Sequence, residues 1–561
     1  MATSTALTNS DILSLIFECF ILRPLEDVAY SEETRAALAR VARVCVAFHE
    51  PAVRLLWKDL TSFVALLRCL PSSLTRVKAK ERNLMSWNIY MLNGNVVPQE
   101  WERMRLRAEY VKRLDLRASE DRLGLATWAY LSHLTQDHPL LPNLRRLGCT
   151  FDSPQSTLMT RPLLSPNLTH LYIDCALPGG GGSEWECSLR SFFHVICSIA
   201  TRLSHIDIYA SRSYQIPFPF TVLSPIRQLH FLRSVVLDWS TSSLAIDLPP
   251  LQSVLSDMKS LEVLELTGRE GFMTSNHWDA RPQLEMSLAP RWTLKNLREL
   301  EVNFFYPLTM NDELYSCIDS PHLRELRDFS HVTTQERSVT RVSIIAHHFP
   351  HLQVLFLTSF SFFAPSDFSL GLIVPSLSTL HAITTFKLFL SSEFEAQGIT
   401  RDGHIHALAK AWPLLTTLSV YTSFPSSSSL SPAALVSLAT LCPKLEVLDL
   451  PSLRILESGL SCLDDYPVLD HTLAIISFRR LELTDCKYAA SLLDRLFPHL
   501  CIRGSPSPSF PYIAWRNKSP PPLYEQVEAQ LKAVQAARRQ HGRRVHEEDV
   551  DHIYPVLNLV A

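Results

Sequence analysis

Three histidines in the segment HHFPHL, His347, His348 and His351, have the residue type closest to metal chemistry, since imidazole nitrogens are common zinc ligands. No cysteine or carboxylate lies near them in the chain, and the segment reads as a helix-to-strand turn, so a metal centre is not expected. His404 and His406 are two residues apart and point to different sides of a predicted helix. The run Gly179 to Gly182 lacks the Gly-Lys-Ser/Thr that lets a glycine turn cradle phosphate, and reads as a flexible insertion. Twelve cysteines include no Cys-x-x-Cys pair and no zinc spacing. G-x-S-x-G, H-E-x-x-H and dinucleotide fingerprints are absent, and only 15 glycines serve 561 residues. The expectation is a chain with no catalytic constellation, no metal and no cofactor, whose chemistry is recognition.

The elements that would position recognition residues are repeated. Cores of the form L-x-x-L-x-L occur as VKRLDL ending at Leu116, LRRLGC at Cys149, LTHLYI at Ile173, LSHIDI at Ile208, LRSVVL at Leu237, LEVLEL at Leu266 and LRELEV at Val302. They continue as LRELRD at Asp328, LQVLFL at Leu357, ITTFKL at Leu388, LTTLSV at Val420, LEVLDL at Leu450 and FRRLEL at Leu483. Their mean period is roughly 30 residues, just above the leucine-rich-repeat range. Several linkers read as helices entering the next strand. Ser431-Pro432 supplies an N-cap and a first-turn proline ahead of Leu435, Leu438 and Leu441, and Ile405, Leu408, Ala409 and Trp412 stripe residues 402 to 412. Alternating helix and strand with short connections predicts an α/β solenoid, a horseshoe of parallel strands backed by helices.

Residues alternating with the strand leucines would line the inner face. Early repeats place Arg113, Arg117 and Arg146 there. Middle repeats place Asp174, Asp207, Asp238, Glu265, Glu299 and Glu301, with Tyr172 and Tyr209 nearby. This acidic stretch is the candidate substrate-binding site, suited to a basic segment of a protein target; the competing reading is a solvated face that keeps the repeats soluble.

Ahead of the repeats, Thr8 and Asp11 read as a capping box for a helix with Ile12, Leu13, Ile16, Phe17 and Phe20 on one face. A second helix fits Arg35 to Phe48, through Leu38, Val41, Cys45 and Phe48. A third starts near Pro51, with Val53, Leu56, Trp57 and Leu60 as its stripe. Sixty residues are too few to bury all of this, so a partner or the next domain should cover part of it.

The stretches DILSLIFECF and LARVARVCVAFHEPAVRLLW, with Leu60 after them, resemble the F-box. With the repeats behind it, the chain resembles fungal-type F-box proteins that carry leucine-rich repeats. The resemblance implies a three-helix F-box that docks onto the Skp-type adaptor of SCF ubiquitin ligases, and through it a cullin, while the repeats hold an unknown protein substrate. Ile12, Leu13, Ile16, Phe17, Val44, Cys45, Leu56 and Trp57 match positions that build the adaptor interface or the small core beneath it. It further implies a non-catalytic subunit. The alternative is a repeat scaffold whose diverged F-box has no ligase role.

The expected domains are the F-box-like helices at 1–62, a helical linker at 63–105, the repeat array at 106–502, and a Pro-rich linker with a C-terminal helix at 503–561. In the last, Val527, Leu531 and Val534 form a stripe. Arg538, Arg539, Arg543 and Arg544 read either as a solvated basic helix end or as a nuclear import signal. A formal charge of −3 argues against nucleic-acid binding. MATSTALTNSD has no basic-then-apolar leader pattern, and no uncharged run approaches the ~18 residues that cross a bilayer. A cytoplasmic or nuclear protein with reduced thiols is expected.

Overall fold

The computed structural model describes residues 9–20, 32–80, 86–117, 121–136, 138–176, 183–210, 218–240, 248–269, 291–304, 310–329, 335–361, 369–392, 400–422, 429–456, 463, 465–502 and 522–540. The chain forms two compact units, 1–289 and 290–561, so the array expected over 106–502 is divided between two bodies.

The first unit begins with three helices, α1 (Ser10–Phe20), α2 (Glu32–Val41) and α3 (Val46–Lys58). The α1 cap is Asn9, whose Oδ1 accepts from the backbone N–H of Asp11 at 2.9 Å and Ile12 at 3.2 Å; Thr8 lies outside the described residues. The second predicted helix ends seven residues early. Short-range bonds from Arg43 N–H to the Arg40 carbonyl and from Val44 N–H to Val41 tighten its last turn, and Cys45 is extended. The break turns Phe48 onto Phe17, edge to face with centroids 5.4 Å apart. Pro51 lies inside α3 rather than at its start, and is buried.

Directly after α3, β1 (Asp59–Leu60) pairs in parallel with β4 (Arg113–Asp115), placing Leu60 beside Leu114. The segment expected as a helical linker is mixed. It holds α4 (Val64–Leu67), the antiparallel strands β2 (Leu74–Lys80) and β3 (Ser86–Leu92), and α5 (Pro98–Ala108), while β5 (Asp121–Leu123) adds to β3 in parallel. Alternation of Trp87, Ile89 and Met91 with polar or half-polar neighbours carries the strand signal there.

The parallel sheet then runs β1, β4, β6 (Arg146–Phe151), β7 (His170–Cys175), β8 (His205–Ala210), β9 (Ser234–Ser240) and β10 (Val263–Arg269). Helices α6 (Leu125–Thr135), α7 (Pro154–Thr160), α8 (Ser183–Ile199) and α9 (Leu248–Leu255), with a 3-10 segment at Phe220–Gln228, connect the strands. The core leucines align across the ladder, from Leu114 through Leu147, Leu171, Ile206 and Val235 to Leu264, all buried. Burying each such side chain is worth about 1.5–3 kcal/mol, which is why the repeat spacing is held.

The second unit repeats this plan. A two-stranded pair of β11 (Trp292–Thr293) and β13 (Ile318–Asp319) accompanies a parallel sheet ordered β12 (Glu299–Phe304), β14 (Glu325–Asp328), β15 (Val354–Ser361), β16 (Thr385–Ser392), β17 (Thr417–Thr422), β18 (Val447–Ile455), β19 (Ile475–Leu483) and β20 (Cys501–Ile502). Its helices are α10 (Met310–Cys317), α11 (Gln335–His348), α12 (Leu370–Leu377), α13 (Asp402–Ala411), α14 (Pro432–Leu441), α15 (Cys486–Leu496) and α16 (Pro522–Gln540). Ser431 caps α14 as expected, accepting from Ala433 N–H at 3.2 Å, and its own hydroxyl donates to Asp402 of the preceding helix at 2.6 Å. One core was misread. Register pairs Leu448 with Ile476 and Leu450 with Phe478, so the final repeat is LAIISF, and FRRLEL is only the continuation of that long strand. Both hexamers carry apolar residues at the spacing required, and pairing alone separates them.

The C-terminal helix closes this unit. Val527, Leu531 and Val534 are buried, and the Gln535 amide donates to the Leu500 carbonyl at 2.9 Å. Arg538 is not solvated as expected, since it pairs with buried Asp494 at 3.0 Å; Arg543 and Arg544 lie outside the described residues. Burial pushes the Asp494 carboxyl up to about 6, with Arg538 and then His499 opposing it. A folded-state value above the unfolded one means that stability is gained as pH falls through 6 towards 4, and lost as it rises. Urea denaturation between pH 4 and 7 should therefore show the natural chain losing about 2 kcal/mol relative to Asp494→Asn, and parallel profiles would refute this assignment.

Candidate interaction surfaces

The helical module partitions the eight residues that the sequence placed at its interface. Leu13 and Phe17 belong to a closed core with Leu38, Ala52, Val53 and Leu55, and Ile16, Leu56 and Trp57 pack against its edge. Only Ile12, Val44 and Cys45 are exposed. The sequence reading missed two neighbours, Leu15 and Val46, which are 63% and 93% exposed, with Val44 at 67%. Ile12 and Leu15 share a face of α1 by their i, i+3 spacing, and Val44 and Val46 flank the turn into α3. These aliphatic side chains are left in water on a small module, among the most exposed of the described residues' large apolar groups.

On the parallel sheets, the residues between the strand leucines form rows on the face turned away from the leucine core. In the first unit one row reads Asp115, Gly148, Tyr172, Asp207, Val236, Glu265, and the next Thr150, Asp174, Tyr209, Asp238, Thr267. All four predicted acids of this unit and both tyrosines are therefore on one face, but not as a continuous acidic strip. Asp174 and Asp238 are buried, which corrects their reading as groups open to a substrate, and Val236 interrupts the row between half-exposed Asp207 and Glu265. Burial, followed by the charges of Asp207 and Glu265, pushes the Tyr209 phenol well up, so it stays neutral.

Arg117 organises the near end of this face. It pairs with Asp115 at 2.9 Å, and its guanidinium lies over the Tyr172 ring, 5.0 Å from the centroid. Gly148 makes that reach possible, because a Cβ there would stand 2.6 Å from Asp115 Oδ1 and 3.1 Å from Arg117 Nε. Gly148→Val should accordingly cost about 1–3 kcal/mol in urea titrations, largely recovered when Asp115→Ala, which removes the nearest overlap, is added. Additive effects of the two changes would show that the notch does not hold the pair.

In the second unit the equivalent row reads Glu301, Arg327, Phe356, Lys387, Ser419, Asp449, Ser477. Glu299 is exposed, whereas Glu301 faces Arg327 at 3.5 Å and Arg327 also takes Glu325 at 2.5 Å. Burial nonetheless pushes the Glu301 carboxyl up, against the pull of Arg327. Phe356 lies between two cations, Arg327 at 5.4 Å and Lys387 at 4.8 Å. Asp449 is buried and accepts from Ser419 at 2.6 Å and from Ser477. The face is thus charge-compensated rather than acidic. Arg117 was read onto this face from the sequence, whereas Arg327, Phe356 and Lys387 were overlooked, although the fifth position of each core from LRELEV to LEVLDL names their row.

The weaker candidates stay unassembled. His347 and His348 end α11 with rings 5.2 Å apart, and His406 bonds Ser437 at 3.1 Å. Gly179 to Gly182 lie outside the described residues. Among the described residues no group of three His, Cys, Asp or Glu side chains could hold a metal, the cysteines are free thiols, and no helix is long and apolar enough to cross a membrane.

No family model and no curated protein matches the chain. Among solved structures it is similar to a Bacteroides fragilis protein (14% identity, 50% of this chain and 65% of that one, TM-score 0.28). It is also similar to the Rad7 and Elc1 complex in yeast (15%, 68% and 89%, 0.30) and to the TLR13-ssRNA13 complex (12%, 71% and 50%, 0.31). The chain thus spans less than two thirds of the first, and overlaps of this quality assign neither family nor activity.

Proposed function

We propose that this chain is a non-catalytic adaptor that joins a ubiquitin ligase of the SCF type to a protein target. The helical module docks the Skp-type adaptor, and through it a cullin, while the open faces of the repeats hold the target. The observation that carries this reading is the set of exposed aliphatic side chains, Leu15, Val44 and Val46 above all, on a module whose last helix runs straight into the first strand of the repeats. Such a continuous joint would fix a bound target relative to the docked adaptor. Transfer of ubiquitin would then be accelerated by proximity, with the chemistry residing in other subunits. Half-exposed Asp207 and Glu265, with Tyr172 on the strand next to Asp207, are the part of the first unit's face offered to a basic target segment. Mixing the purified full-length chain with a purified Skp-type adaptor should give a one-to-one complex on gel filtration. Two separate peaks at micromolar concentrations would leave a repeat scaffold without a ligase role as the better reading.

A further inference from the structure

The strand starts of the first unit load one edge of its open face with positive charge. Register sets Arg113 beside Arg146, Arg146 beside His170 and His170 beside His205, on the same face as Tyr172 and Asp207 but one row nearer the strand starts. Asp59 stands beyond Arg113 at one end of this row, and Ser234 and then Val263 beyond His205 at the other. Just ahead of the strands Lys112, Arg145 and Arg233 are exposed, and Glu262 lies 3.9 Å from Arg233. With parallel strands about 4.8 Å apart, the row from Arg113 to His205 spans about 15 Å. Three alternate residues of an extended peptide cover about 13 Å.

The two histidines are held in one tautomer. The Thr169 hydroxyl donates to the Arg145 carbonyl at 3.0 Å, and the Ser204 hydroxyl to the Thr169 carbonyl at 3.0 Å, so each oxygen has only lone pairs left for the imidazole beside it. His170 Nδ1, 2.9 Å from Thr169 Oγ1, and His205 Nδ1, 2.8 Å from Ser204 Oγ, are therefore the donors. A further proton has to enter at Nε2. The rings lie parallel with centroids 4.1 Å apart, where two imidazolium charges would repel. Burial, and then the charges of Arg146 and Arg233, push the His205 imidazole down, which leaves it neutral at pH 7; Asp207 stands two residues along the same strand. An anion seated against the row offsets these repulsions. With Arg146 and Arg233 acting on the pair, charge complementarity selects an anion over a metal ion.

We infer that this row binds an acidic segment of a protein partner, laid extended across the strand starts with alternate carboxylates on the arginines and histidines, and that a proton is taken up from solvent on binding. A nucleic acid fits less well, because Asp207 and Glu265 on the next row would repel its continuous phosphates. The inference does not depend on the adaptor reading, and its test uses neither adaptor nor ligase.

Fluorescence polarisation of the full-length chain with a tagged Ser-Glu-Ser-Glu-Ser-Glu peptide tests it, with Ser-Gln-Ser-Gln-Ser-Gln as the uncharged control. The acidic peptide should bind about five- to tenfold more tightly near pH 6 than near pH 7.5, and the control should not bind. Arg113→Gln with Arg146→Gln should weaken binding about tenfold, and His205→Asn should flatten the pH profile. Arg145 is exposed, so Arg145→Glu folds even where the half-buried pair of changes does not, and it too should weaken the peptide. Asp207→Lys should not weaken it. Absence of binding, a flat pH profile in the natural chain, indifference to the arginine changes, or tighter capture of a tagged oligothymidylate overturns the inference.

Discussion

Replacing Arg341 by alanine is expected to cost the unit 290–561 about 3–5 kcal/mol, measured as a shift of its urea midpoint. The guanidinium is almost fully buried, and spans Asp312 at 3.0 Å and Asp328 at 3.4 Å, with Asp328 itself buried. Tyr315, also fully buried, is close enough for the pair's charges to act on its phenol. Burial alone already pushes the Asp312 carboxyl up, and Arg341 is what opposes it. Without the arginine, two carboxylates would remain in a poorly solvating site, and their cost is the loss. The sign with pH follows. Burial already raises the Asp312 carboxyl, and loss of Arg341 removes the charge that opposes this, so the variant's deficit should shrink as pH falls from 7 towards 5. Arg341→Met combined with Asp312→Leu and Asp328→Leu should recover most of the loss, because removing all the charges is far cheaper than orphaning two. A deficit below 1 kcal/mol, or one independent of pH, would show that the arginine does not hold these acids.

Val44→Glu with Val46→Glu should abolish retention of the Skp-type adaptor, by roughly a hundredfold or more, while thermal stability stays within about 0.5 kcal/mol of the natural chain. Two charges placed at the centre of an apolar contact have no partner and lose their water, whereas in the free protein both side chains already face solvent. Leu13→Ala is the contrasting change. Leu13 is sealed in the module's core, so its truncation should cost about 2–5 kcal/mol and lose the adaptor only through loss of the fold. Trp57 packs on the edge of that core, which makes its truncation ambiguous. Undiminished adaptor retention by the Val44 and Val46 variant would sink the docking surface, and a fall in stability equal to that of Leu13→Ala would show that these valines are structural.

The repeat plan was legible because burial enforces it. Leucines at fixed spacing can be buried only if each strand lies beside the next, and twelve of the thirteen cores proved to be correctly framed. The exception, FRRLEL, failed because two overlapping hexamers satisfy the same pattern. The break between α2 and α3 was missed for a similar reason: Cys45 and Phe48 fit the helical stripe, yet Phe48 is better buried against Phe17 than on a continuous helix. The candidate face was legible in membership and not in character. Alternation assigned Arg117, Asp207, Glu265 and Glu301 to it correctly, but the count of acids overlooked Arg327, which reaches across to Glu301.

The sequence by itself determined the strand–helix alternation, the leucine core and the three N-terminal helices, since these follow from periodicities of two and of 3.6 that any amphipathic segment must obey. Tertiary structure decided which polar residues meet. The Gly148 notch under Arg117, the Arg341 bridge between two aspartates, the C-terminal helix sealed by Arg538 and Asp494, and the stacked pair of His170 and His205 all join residues that are distant in sequence or set by neighbouring geometry. Hydrophobic burial is nearly indifferent to direction and reads out as pattern, whereas ion pairs and hydrogen bonds act over a few ångströms and depend on where each atom finally lies.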